Sequence, residues 1–106
     1  MQQPKITGYR QLNETEAALM NEIKAEGERL HALYLRVSGY LSTERELKQA
    51  AAAASKLAPN DEGSVASQEL RRFNSAHPGR WASIGLTHLQ EGLMALTRAV
   101  TQPSSF

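Results

Sequence analysis

The chain has 106 residues, a formal net charge of +1 and no cysteine. That length fits one domain, the balanced charge gives no strong attraction to DNA or RNA, and the lack of thiols removes disulfides, thiolate nucleophiles and cysteine-ligated metal sites. The N-terminal stretch is polar and contains Pro4 and Gly8. It lacks the apolar core of a secretory signal, and no apolar run approaches the ~20 residues of a membrane-spanning helix, so a cytoplasmic protein is expected.

Residues 1–12 read as a short N-terminal segment. Asn13-Glu14-Thr15-Glu16 places a capping side chain three positions before a glutamate that can reach back to the cap amide, which predicts a helix over 13–57. Met20, Ile23, Gly27, Leu30, Tyr34, Val37 and Leu41 then recur in steps of three and four, the spacing of a packing seam. Leu19 and Leu33 widen the seam, while Glu22, Lys24, Glu26, Glu28, Arg29 and Arg36 lie off it. The alanine run from Ala50 to Ala54 has the highest helix propensity and carries the helix toward Leu57; Pro59-Asn60-Asp61-Glu62-Gly63 marks a turn over 58–64.

A second helix is predicted over 65–101, kinked at 77–79, where proline removes a backbone donor and glycine loosens the chain. Beyond the kink two stripes run side by side. Ala82, Leu86, Leu89, Leu93, Leu96 and Val100 form one, and Trp81, Gly85, His88, Gly92, Ala95 and Ala99 the other, composed mostly of small residues. Residues 102–106 read as a tail. The fold expected is all-α, an antiparallel two-helix hairpin. A helix with two apolar stripes buries both only against two neighbours, and a lone hairpin offers one, so a compact oligomer is expected as part of the fold.

Catalytic and metal-binding patterns are absent from the sequence. His31, His77 and His88 are dispersed, and there is no Gly-x-Ser-x-Gly elbow, dinucleotide-binding glycine turn or P-loop. No enzyme activity, metal or cofactor is expected. The segment Lys5-Ile6-Thr7-Gly8-Tyr9-Arg10 sets an aromatic ring beside a flexible glycine and between cations, and Lys24 offers an ammonium for a phosphate. The same residues also read as an ordinary helix staple at Tyr9 and a solvated surface charge at Lys24. Arg80 and Arg98 equally suit capping of helix C-terminal carbonyls.

Two blocks resemble a known family. Ile6-Thr7-Gly8-Tyr9-Arg10 followed by Leu19-Met20-Asn21-Glu22-Ile23-Lys24, and Arg80-Trp81-Ala82-Ser83-Ile84-Gly85 running on to Arg98-Ala99-Val100, are similar to the small phage-encoded sponge proteins that defeat the antiphage system CBASS. That hairpin is related to the one in phage proteins that sequester the Thoeris signal. The resemblance implies a non-enzymatic homo-oligomer, typically a hexamer, that acts in the bacterial cytoplasm and holds cyclic dinucleotides between protomers. It carries a pocket tyrosine onto Tyr9, with Gly8 and Arg10 beside it, and a pocket lysine onto Lys24. Arg80 is the match for an arginine of a second pocket for cyclic trinucleotides. The competing expectation is a helical-hairpin adaptor without a small ligand; DNA, RNA and membrane partners are not expected.

Overall fold

The computed structural model describes residues 10–58 and 60–104. Three helices follow one another: α1, Glu14–Ala54; α2, Val65–Ser75; and α3, Pro78–Thr101. The long α1 is one arm of a hairpin and α2 with α3 the other, bent arm. The residues pack as two compact units, one from residues up to Ala32 together with those from Leu86 onward, the other Leu33–Gly85. Gly8 and Tyr9 lie outside the described residues.

In the first unit α1 starts as the sequence predicts. Asn13 Oδ1 accepts from the Glu16 amide at 2.8 Å, and Glu16 Oε1 accepts from the Asn13 amide at 3.0 Å, so two amides that the helix cannot satisfy are satisfied reciprocally. Met20, Ile23, Gly27 and Leu30 then form a half-buried line facing Leu86, Leu93, Thr97 and Val100 of α3. Gly27 sets the approach: a Cβ there would stand 3.3 Å from Leu93 Cδ1. Thr97 and Thr101 can sit in this interface because each hydroxyl donates to the carbonyl four residues back, Leu93 and Thr97 respectively, at 2.9 Å. Gln102 ends α3 in the left-handed region (φ 47°) with its amide on the Arg98 carbonyl at 2.8 Å, and Pro103 blocks continuation.

The second unit holds the side chains with the least exposure. Among the described residues Ala52, Phe73 and Ser67 are buried. Arg45 and Lys48 place their cations 5.9 and 5.7 Å from the centre of the Phe73 ring, so the aliphatic stems cover the ring while the charges meet its π face. The arms are joined by a hydroxyl cluster. Ser64 Oγ caps α2 by accepting from the Ser67 amide at 3.0 Å, and it lies 2.6 Å from Ser55 Oγ and 3.0 Å from Ser67 Oγ. Asp61 folds the connection by accepting from the amides of Leu57 (3.2 Å) and Gly63 (3.1 Å).

Three details depart from the sequence pattern. The seam of α1 passes through Ser38, which is half-buried, and leaves Val37 42% exposed, because a straight helix with 3.6 residues per turn drifts off a 3.5-residue repeat. The same drift puts Thr97 in the α3 interface and leaves Leu96 56% exposed. Helix α1 ends at Ala54, short of Leu57, because the Ser55 hydroxyl takes the Ala52 carbonyl and the Asp61 carboxylate takes the Leu57 amide. The bend in the second arm is a full helix break. His77 is left-handed (φ 49°) and donates its amide to the Asn74 carbonyl at 3.1 Å, while Pro78, lacking a donor, opens α3. Gly79 lies inside the first turn of α3, so histidine and not glycine makes the reversal.

Among the described residues no helix is long and apolar enough to cross a membrane. Replacing Phe73 with alanine removes the largest side chain of a very small core and should cost about 3 kcal/mol or more. Denaturant titration at fixed protein concentration should show a lower midpoint for Phe73→Ala than for a surface control such as Leu57→Ala, whose side chain is 97% exposed.

Candidate functional site

The first unit carries a groove of about 570 Å³. Ile23, Lys24 and Gly27 of α1 form one wall; Leu93, Met94, Ala95, Thr97, Arg98 and Thr101 of α3 form the other, and Pro103 closes the end. The close approach of Leu93 to Gly27 lies within this groove, whose lining is mostly apolar and includes two cations, Lys24 and Arg98. Among the described residues neither a carboxylate nor a histidine lines it.

Such an arrangement suits a small ligand with flat apolar surfaces and more than one negative charge. The ammonium of Lys24 acts as a compact point charge, the guanidinium of Arg98 as a planar fork that matches two phosphate oxygens. Among the described residues no three histidine, aspartate or glutamate side chains come together to hold a metal ion.

Of the residues predicted from sequence, Lys24 lines this groove. Arg10 does not line it: Nη1 donates to Glu16 Oε1 at 3.1 Å, and Nη2 is ion-paired with Glu16 Oε2 and donates to the Val100 carbonyl at 2.7 Å. Arg80 is in the other unit, exposed in the first turn of α3, and does not line the groove. Arg98 is the residue that the sequence reading assigned to helix capping and that the fold places in the groove. Its signal was present in the spacing: Met94, Arg98 and Thr101 fall on one face of α3, immediately beside the leucine stripe. His88 is exposed, with Nδ1 3.5 Å from Glu91 Oε2.

The family model described as Acb2/Tad1, hairpin domain, matches residues 1–101. This chain belongs to that family. It is also similar to Anti-CBASS protein 2 of Pseudomonas phage JBD67, with 54% identity over 102 residues that cover 96% of this chain and 94% of the phage protein. The match to the Acb2/Tad1 hairpin spans both arms, so the helices that build the groove are part of the shared fold.

At the start of α1 the hydrogen bonds from Arg10, and after them the Asn13 amide, hold the Glu16 carboxyl below the usual carboxylate range. Asp61 is lowered by the Gly63 and Leu57 amides, and Glu69 by the Arg72 guanidinium. A carboxylate whose pKa is depressed by folding stabilises the folded state above its unfolded pKa, and that contribution is lost as pH falls through the folded value. Thermal melts followed by circular dichroism should therefore be nearly flat from about pH 7 to 5 and fall between about pH 4 and 2. Glu16→Gln, which keeps the capping geometry but not the charge, should make the decline shallower.

Proposed function

We propose that the protein inhibits CBASS immunity by capturing cyclic oligonucleotide messengers, cyclic dinucleotides first among them, and holding them without cleavage. The observation that carries this reading is the groove: a mostly apolar lining between α1 and α3 that includes Lys24 and Arg98, in a chain of the Acb2/Tad1 hairpin family. The name of its phage relative, Anti-CBASS protein 2, supplies the biological setting. A cyclic dinucleotide brings two phosphates and two flat bases. Lys24 and Arg98 would take the phosphates, and Tyr9, carried by the segment Gly8-Tyr9-Arg10, would stack on a base. Charge-assisted hydrogen bonds of about 1.5–3 kcal/mol each, together with about 1–3 kcal/mol for stacking, sum to tight binding with no reactive group required.

The working form we propose is a homo-oligomer, a hexamer, with each groove closed by a second protomer. Support comes from surface that one chain leaves open. Trp81 is 62% and Met94 70% exposed, and a Cβ added at Gly85 or Gly92 would meet nothing within 4 Å. Arg80 belongs in this proposal to a separate site for cyclic trinucleotides. A phage protein of this kind acts in the cytoplasm of the infected bacterium.

Titration calorimetry against cyclic di-AMP, cyclic di-GMP and cyclic GMP–AMP tests the reading. At least one should bind, and Tyr9→Ala, Lys24→Ala and Arg98→Ala should each weaken it by about tenfold to a hundredfold while helicity is retained. Unchanged affinity in all three variants would place the site elsewhere; no binding by the wild-type protein to any cyclic oligonucleotide would favour an adaptor role. Light scattering should give a mass well above that of a dimer, and Gly92→Leu should reduce it by overpacking the close face of α3.

A further inference from the structure

Arg10 joins three pieces of the molecule. Its guanidinium is shared between Glu16, which itself accepts from the Asn13 amide in the cap of α1, and the main-chain carbonyl of Val100 in the last turn of α3. The Val100 carbonyl is one of those at the C-terminus that the helix leaves without an internal donor, and a cation there also meets the negative end of the helix dipole. The fork geometry matters. A planar guanidinium can serve a carboxylate and a carbonyl at once, whereas an ammonium on a shorter reach serves one well. Both partners share a helix with a groove wall: on α3 Thr101 follows Val100 and Arg98 precedes it by two residues, and on α1 Lys24 follows Glu16 by about two turns.

We infer that Arg10 is a positioning residue for ligand capture: by clamping the cap of α1 to the last turn of α3 it fixes the spacing of the two groove walls. The inference rests on the reading of the groove as a cyclic dinucleotide site. It assigns Arg10 a part different from that of a phosphate contact. A contact residue works through its charge on the ligand. A clamp works through Glu16, which lines no part of the groove, and needs the fork.

The two parts separate in a set of variants titrated with the tightest-binding cyclic dinucleotide. For a clamp, Arg10→Lys should lose affinity nearly as severely as Arg10→Ala, by about tenfold, and Glu16→Gln should lose several-fold although it removes a negative charge from the neighbourhood. The double variant Arg10→Ala/Glu16→Gln should be no weaker than Arg10→Ala alone, because the two side chains act as one unit. Near-wild-type binding by Arg10→Lys, with Glu16→Gln unchanged or tighter, would make Arg10 a ligand contact and overturn the clamp. Amide hydrogen exchange on the ligand-free protein gives an independent reading: exchange in the last turn of α3 should be faster in Arg10→Ala and Arg10→Lys than in wild type. Unchanged exchange there overturns the clamp whatever the titrations show. A wild-type protein that binds none of the dinucleotides, with exchange still accelerated in the variants, overturns the binding reading and leaves the clamp standing.

Discussion

A two-armed hairpin gives each helix a single facing surface, and the close seat of Leu93 against Gly27 is the contact on which the rest of this molecule turns. Because glycine has no side chain, α3 can come near enough to α1 for its leucine stripe to be covered, at the expense of about 1 kcal/mol of helix propensity. Gly27 and Leu93 also line the groove that holds Lys24 and Arg98. Two arms cover little more than the seam between them. In the Leu33–Gly85 unit the work of burial falls to Phe73, Ala52 and Ser67, and large apolar side chains such as Leu35, Leu47 and Trp81 remain more than half exposed. A protein with so thin a core holds its shape by other means or by association.

The other means are visible at the helix ends. Asn13 and Glu16 start α1 and Ser64 starts α2 through side-chain hydrogen bonds that the helix itself cannot make, and the left-handed residues His77 and Gln102 close α2 and α3. Such bonds contribute on the order of 1 kcal/mol each. They also decide where functional side chains stand. Lys24 stands about two turns beyond the Asn13–Glu16 cap and Arg98 in the last turn of α3 just before Gln102, so both cations are presented by helices and not by loops.

Much of this is legible in the sequence because local chemistry dictates it. The Asn13-x-x-Glu16 spacing announces its cap, the three-and-four steps announce the facing stripes, and the Pro59 to Gly63 stretch and the His77-Pro78 pair mark where the chain must turn. The failures are also local. Extending the seam to Val37 and Leu96 assumes a supercoiled repeat that a two-arm packing of this length does not impose, and Ser38 and Thr97 take those places. Carrying α1 to Leu57 credits alanine propensity over the Ser55 hydroxyl and the Asp61 carboxylate, which take backbone groups from the last turn. Arg98 was missed as a groove residue for a subtler reason: an arginine in the last turn satisfies a capping rule so well that its position beside the leucine stripe goes unnoticed. That this position lines a groove with Lys24 and Gly27 is a property of the pair of helices and not of either alone.

The groove's two cations, Lys24 and Arg98, suit phosphates and its largely apolar lining suits flat bases, and among the described residues no carboxylate or histidine lines it. A protein acting by capture must lower free messenger in proportion to its own amount, and the messenger must survive. The decisive measurement incubates the protein with excess cyclic dinucleotide, separates free ligand by ultrafiltration, then heat-denatures the retained fraction and quantifies nucleotides by chromatography. Free ligand lowered by a fixed number of molecules per protomer, with complete recovery of the intact ring after denaturation, is the expected result. Linear dinucleotide or mononucleotide accumulating beyond the concentration of the protein would contradict it.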